Sequence, residues 1–291
     1  MSSPKVKHKR NYLTSLTLLL LVLAGCKETE VVPKKSPDQI YSEHLTFGNP
    51  SNATTDISNS NNYLMGKPQY ALSYSRNRGT PNWVSWHLTQ DWMGSVPRQD
   101  DFSPDSSLPI GWYRVTASSY TGSVFDRGHN TPSADRTRSF QDNSASFLMP
   151  NMIPQASNYN QQTWARLEDY TRDLVQDGNE VYVIMGSYGV GGTGSMGAKN
   201  TIDNGRVTVP SQIWKVKVIL PEGEDDVSRI TSSTRVIAVN TLNINSINSS
   251  WGSYRTSVDA IEAETGYNLL SVLPDNIEQV LEAKTDTGPT Q

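Results

Sequence analysis

The sequence predicts an α+β fold, and three observations carry that prediction. Tyr70–Ser75, Trp83–Leu88 and Trp214–Leu220 each alternate bulky with small or polar residues, the signature of strands. Val181–Met185 reads as a buried strand and Arg235–Asn240 as another. Interspersed with them are segments whose apolar residues recur at helical spacing, the longest running from Asn160 to Gln176. Strands and helices do not alternate regularly, so the expected architecture is a strand-rich centre with helices against it.

Each element has a local reason. Asn77-Arg78-Gly79-Thr80 supplies turn residues between the first two strands and predicts an antiparallel pair. His44–Tyr63, rich in Asn, Ser and Thr, reads as an ordered loop at most, and Asp100–Leu108, with Pro104 and the following Pro109, as another loop. Phe147–Met149 reads as a short apolar strand entering a turn at Asn151–Gln155. In the Asn160–Gln176 helix, Trp164, Leu167, Leu174 and Val175 are the apolar positions, and Asp177-Gly178-Asn179 is the stop. Gly186–Gly197 ends in Gly197-Ala198-Lys199-Asn200, which lacks the Gly-Lys-Ser/Thr of a phosphate-binding loop, and is expected to be a flexible connection. Ser257–Thr265 reads as a short helix and Asn276–Ala283 as a final amphipathic one, followed by a frayed tail over 284–291. No fixed-period repeat is present.

The N-terminus reads as targeting sequence rather than fold. Lys5, Lys7, Lys9 and Arg10 form a basic stretch before Leu13–Leu23, an apolar run too short and interrupted to span a bilayer. It ends in Leu23-Ala24-Gly25-Cys26, which looks like a bacterial lipobox, and Cys26 is the sole cysteine. The expectation is a lipoprotein signal peptide over 1–25, lipidation at Cys26, a tether over 26–44, one folded domain over 45–283 and the tail. The protein would be exported and lipid-anchored to a bacterial membrane, on its periplasmic or cell-surface side. With no disulfide available, stability must come from a packed core.

Net charge is −4, and loss of residues 1–25, which hold four basic and no acidic residues, takes it to −8. A chain this acidic has no overall basic field for nucleic acid. Arg114, Arg127, Arg136, Arg138, Arg166 and Arg172 nevertheless cluster in one stretch, so any basic surface is expected there.

That stretch also holds the chemistry. Asp126-Arg127-Gly128-His129 is followed by Asn151-Met152-Ile153-Pro154-Gln155, Asn160-Gln161-Gln162-Thr163-Trp164 and Arg166-Leu167-Glu168-Asp169. Together they offer a base (His129), a cation for phosphate (Arg127), an oxygen ligand for a hard metal (Asn160) and a carboxylate (Glu168). An imidazole titrates near neutrality and suits a general base. Gly128 permits close backbone approach or an unusual dihedral beside it. There is no His/Cys cluster of the zinc type, and oxygen donors select Mg²⁺, Mn²⁺ or Ca²⁺. Asn160 alone would read as a helix N-cap, and Glu168 with Arg172 as a solvated ion pair. Asn160, Trp164, Glu168 and Arg172 form an i, i+4 ladder along one helical face, with Trp164 as a core anchor.

These four segments resemble the DNA/RNA non-specific endonuclease family, over about Leu45 to Glu282. The resemblance implies a central antiparallel sheet flanked by helices, with a ββα-metal active-site unit at one edge. It implies a metal-dependent endonuclease acting on DNA and RNA, with Mg²⁺ (or Mn²⁺) as cofactor. His129 would be the general base, Asn160 the direct metal ligand, and Glu168 a ligand through water. Arg127 and Arg98 would clamp phosphate, and Arg172 would reach phosphate or pair with Glu168. Asp126, Asp135, Asn151 and Gln155 are expected in structural roles, Asp126 by accepting backbone hydrogens and Asn151 and Gln155 by bracing the turn. Two other readings stand beside it: a non-catalytic nucleic-acid-binding lipoprotein on a nuclease scaffold, and a phosphodiesterase for smaller or lipid-linked substrates.

Overall fold

The computed structural model describes residues 1–4 and 43–291. Nearly all of the expected signal segment and tether, Cys26 included, lies outside the described residues; the account below concerns 43–291. Packing begins at once. Glu43–Leu45 forms a 3-10 turn, and His44, the last residue assigned to the tether, is buried. Its Nε2 donates to Pro68 O at 2.9 Å while Nδ1 accepts from His87 N at 3.2 Å.

The strands, in chain order, are β1 (Tyr63–Lys67), β2 (Tyr70–Ser75), β3 (Thr80–Leu88), β4 (Asp126–His129), β5 (Met152–Gln155), β6 (Asn179–Tyr188), β7 (Gly192–Gly194), β8 (Gly197–Lys199), β9 (Thr201–Ile202), β10 (Val207–Thr208), β11 (Gln212–Pro221), β12 (Arg235–Leu242) and β13 (Arg255–Thr256). The main helices are α1 (Phe140–Ser146), α2 (Ala165–Gln176), α3 (Val258–Thr265) and α4 (Asp275–Glu282). Seven strands form one sheet in the order β1-β2-β3-β6-β11-β12-β13, with every neighbouring pair antiparallel.

Both faces of this sheet are covered. Val84, Trp86, Val183 and Met185 face one core, where Leu167, Tyr170 and Val175 of α2 pack. Trp83, Tyr182, Ile184, Trp214 and Val216 face the other, closed by Val258 and Ile261 of α3 and Leu281 of α4. The period of two sorts each strand's side chains between the two cores. In β11 it has an unexpected result. Lys215 and Lys217 alternate with the apolar residues, yet each is 1% exposed, because α2 covers their face. Lys217 Nζ donates to Leu167 O at 2.8 Å, and to the Thr171 hydroxyl.

The predicted α+β class and central antiparallel sheet are therefore present, with several local corrections. Phe147–Met149 is not a strand: Phe147 caps α1, and Met149–Asn151 is a 3-10 turn containing Pro150, which has no N–H for a ladder. The strand is β5, formed by the segment read as a turn. The glycine-rich segment starts within β6 and folds into the small antiparallel pair β7–β8, with a second such pair, β9–β10, just after it, rather than forming a structureless connection. The C-terminal tail is docked, because Asp286 bridges Arg235 (2.9 Å) and Arg255 (3.2 Å).

Candidate active site

The site is built on the antiparallel pair β4–β5, in which Asp126 faces Gln155 and His129 faces Met152, followed in the chain by the helix that carries Asn160. Of the two reasons considered for Gly128, close approach is the operative one. A Cβ there would overlap the Gln155 side chain, while its φ is not positive. Gln155 thus acts as a packing plate, and its buried amide makes no hydrogen bond among the described residues. Asn151 does brace the turn: its amide donates to Thr131 O (2.9 Å) and Ser146 O (2.8 Å) and accepts from Thr131 N (3.0 Å). Tyr120, Phe125, Met149 and Met152 form a small core beneath the pair.

His129 sits against two phenyl rings, each capped by an arginine. Phe147 meets the imidazole edge-on at 4.8 Å, and Phe102 lies at 5.6 Å. Arg98 stacks over Phe147 at 4.7 Å and Arg127 over Phe102 at 4.2 Å. Burial first, then the charges of Arg98 and Arg127, push the His129 pKa down to about 3. The ring is therefore neutral near pH 7. Its Nε2 is buried with no partner, whereas the residue as a whole is only half-buried, so the accessible nitrogen is Nδ1.

A cleft of about 590 Å³ opens beside this group, with Arg98, Phe102, Asp126, Arg127, Asn160 and Gln161 in its wall. Arg127 is exposed and makes no side-chain hydrogen bond or ion pair among the described residues, so its guanidinium is available. Arg98 is held by Asp100 at 2.6 Å and Ser133 Oγ at 2.9 Å, which fixes its approach while leaving its side chain 50% exposed.

Asp126 has a more specific role than the one expected. It accepts side-chain hydrogens from Ser157 (2.8 Å), Asn160 (2.9 Å) and Gln161 (2.9 Å). A carboxylate only accepts, so Asn160 must present its nitrogen to Asp126, which turns Oδ1 away. Asn160 is also not an N-cap, since its own N–H donates to Ala156 O at 2.9 Å. The cleft thus offers a neutral, preoriented amide oxygen with a carboxylate behind it, a donor set suited to a hard divalent ion and not to zinc.

The predicted ladder splits. Tyr159–Trp164 is a π-helical turn, and only Ala165–Gln176 is α-helical. The wider turn breaks the 3.6-residue register, so Asn160 faces Asp126 while Trp164 and Glu168 face the sheet. Trp164 is fully buried, the core anchor that the spacing predicts. Lys215 Nζ lies 4.6 Å over its ring and donates to Glu168 Oε1 at 3.2 Å. Glu168 is not a solvated partner of Arg172: burial raises its pKa, with Lys215 and then Arg172 opposing. Arg172 instead binds Asp135 at 2.8 Å and the exposed Asp169. Neither Glu168 nor Arg172 lines the cleft.

The arginine concentration is only partly a surface feature. Arg136 is fully buried, donating to Gln69 O, His87 O and Asp135 O. Arg114 donates to the carbonyls of Asp105, Ser106 and Leu108, and Arg138 to Asp142. Sequence reasoning missed Phe102, Phe147 and Lys215; each reaches the site through tertiary contact, with no local motif to mark it.

One imidazole, two flanking guanidinia and an oriented amide thus meet at a single cleft, an arrangement suited to phosphodiester cleavage, and comparison with known proteins gives the class. Residues 48–276 match the DNA/RNA non-specific endonuclease family, and the chain belongs to that family. It is similar to a nuclease of Nostoc sp. (strain PCC 7120), 46% identical over 92% of this chain and 96% of the relative. It is also similar to nuclease C1 of Cunninghamella echinulata (31%, over 62% of this chain and 71% of the relative), and to human mitochondrial endonuclease G (32%, over 55% and 56%). A chain in the crystal structure of the EndoG/EndoGI complex shares the fold with TM-score 0.65, at 23% identity over 82% of this chain and 95% of that one. The protein is a DNA/RNA endonuclease, a hydrolase whose substrate is nucleic acid, in a divalent-metal-dependent family.

Proposed function

We propose that His129 is the general base of a sugar-non-specific endonuclease and that Asn160 Oδ1 is the direct ligand of its Mg²⁺ (or Mn²⁺). The observation that carries this reading is the Asp126 carboxylate holding the Asn160 amide with its oxygen turned away. When bound, the ion supplies charge to the phosphoryl and leaving oxygens without proton transfer. The chain's own groups do the rest. With the resting proton on buried Nε2, His129 Nδ1 takes the proton of the attacking water. Arg127, and Arg98 on its Asp100–Ser133 support, grip the phosphate oxygens. Glu168, held by Lys215 outside the cleft wall, would act on the ion only through intervening water. Arg172 is tied to Asp135 and Asp169, and would have to leave Asp169, its exposed partner, to take a neighbouring phosphate. The arginine contacts are to phosphate rather than to base edges, which accounts for tolerance of sequence and sugar.

Plasmid DNA and total RNA incubated with the protein are expected to be cut in Mg²⁺ and left intact in EDTA. Gel retardation without cleavage in Mg²⁺ would instead favour a nucleic-acid-binding lipoprotein, and cleavage confined to small phosphodiesters would favour the third reading. We further propose export and lipid anchoring through Cys26, on the strength of the lipobox-like Leu23-Ala24-Gly25-Cys26. Cys26→Ala is expected to move the protein out of the membrane fraction; unchanged membrane association would reject the anchor.

A further inference from the structure

We propose that Asp259, Glu262 and Glu282 form a second cation site, remote in sequence from the nuclease motifs, which takes one hard divalent ion of the calcium type and ties α3 to α4. α3 places Asp259 and Glu262 three residues apart, on one face. α4 brings up Glu282, with Glu278 one turn before it. One carboxylate oxygen from each of Asp259, Glu262 and Glu282 lies within 4.8 Å of the others. Oxygens bound to a single Ca²⁺ at about 2.4 Å can be at most about 4.8 Å apart, so the three already satisfy the spacing that one ion requires.

The second observation is what these oxygens lack. Glu282 is 7% exposed, yet its Oε1 is buried without a hydrogen-bond partner, and Glu278 Oε1 is in the same state. Glu262 Oε1 is oriented by the Leu269 N–H at 2.7 Å. Among the described residues no Lys, Arg or His pairs with any of the four carboxylates. Burial, then the charges of Glu262, Glu278 and Asp259 and a side-chain hydrogen bond shared with Glu262, push the Glu282 pKa up to about 8, while its Oε1 keeps no partner. Buried like charges without a counter-ion are costly. A proton on Glu282 relieves one member, whereas a divalent ion satisfies all three and leaves exposed Asp259 as the side on which water completes the coordination. The contrast with the other compact grouping is informative. His87, Glu180 and Asp226 are equally close, but Arg229 already binds both carboxylates there.

The test is the thermal midpoint of the whole protein in EGTA and in CaCl₂, for wild type, Glu282→Gln and Asn160→Ala. Gln at 282 keeps the shape and mimics the protonated acid, so this variant should fold. Wild type and Asn160→Ala are expected to gain about 5–10 °C at calcium a hundredfold above Kd. Glu282→Gln is expected to gain little of this, while keeping wild-type plasmid cleavage in Mg²⁺. No gain in wild type, a full gain in Glu282→Gln, or loss of the gain in Asn160→Ala would each overturn the second site. The last result would place the calcium at the nuclease centre.

Discussion

Replacing His129 by alanine is expected to slow plasmid nicking by about 10²–10⁴-fold, the usual contribution of a positioned general base, while the circular dichroism spectrum and thermal midpoint stay close to wild type. The fold should tolerate the change because the imidazole makes no hydrogen bond that the sheet depends on; its contacts are the rings of Phe102 and Phe147. Full activity in this variant would remove His129 from the mechanism. The same residue gives a second measurable outcome. An ordinary imidazole with a pKa near 6.5 would lose about tenfold of its basic form between pH 7.5 and 5.5. Burial and the two arginines hold His129 down to about 3, so the free enzyme keeps its base through that range. At saturating Mg²⁺, kcat/KM is therefore expected to stay flat from pH 7.5 to 5.5. Arg98→Ala removes the larger of the two repelling charges and should bring an acid limb up towards neutrality. A wild-type limb centred near pH 6.5 would contradict this account of the pocket.

What could be read from the sequence was whatever local spacing encodes. Trp164, Leu167 and Val175 recur at helical intervals, and the helix is there; Trp83–Leu88 and Trp214–Leu220 alternate, and they are strands. Contacts between distant residues left no such trace. Asp126 reaches Asn160 across 34 positions, and Lys215 reaches Glu168 across 47. Nothing near Phe102 or Phe147 identifies them as the rings that carry the arginines beside His129. The ladder from Asn160 to Arg172 failed for a different reason. Spacing arguments assume 3.6 residues per turn, and the π-helical turn at Tyr159–Trp164 abandons that period just where Asn160 sits. The alternation of Lys215 and Lys217 with Trp214, Val216 and Val218 was legible, but alternation cannot tell a solvated face from one that a helix covers.

Lys215 is also where the largest stability effect is expected. It is 1% exposed, burial lowers its pKa, and Glu168 is the first charge that opposes the shift. Glu168, with its side chain 18% exposed, keeps some access to water. The two partners are therefore unequal. Glu168→Ala leaves a buried ammonium without its carboxylate and should cost about 3 kcal/mol, the lower end of the range for breaking a buried pair. Lys215→Met fills the space above Trp86 and Trp164 with an apolar chain and leaves a carboxylate with some access to water and the positive charge of Arg172 nearby, so it should cost less than about 1.5 kcal/mol. Combining Glu168→Ala with Lys215→Met should recover most of the loss of the first variant, which urea unfolding of the three proteins would measure. If Glu168→Ala and the double variant prove equally unstable, the pair does not hold the helix to the sheet. The activities separate the two roles assigned to Glu168. A stable double variant that still nicks slowly would locate the defect in the water around the ion, whereas recovery of nicking along with stability would make Glu168 a structural partner of Lys215 and nothing more.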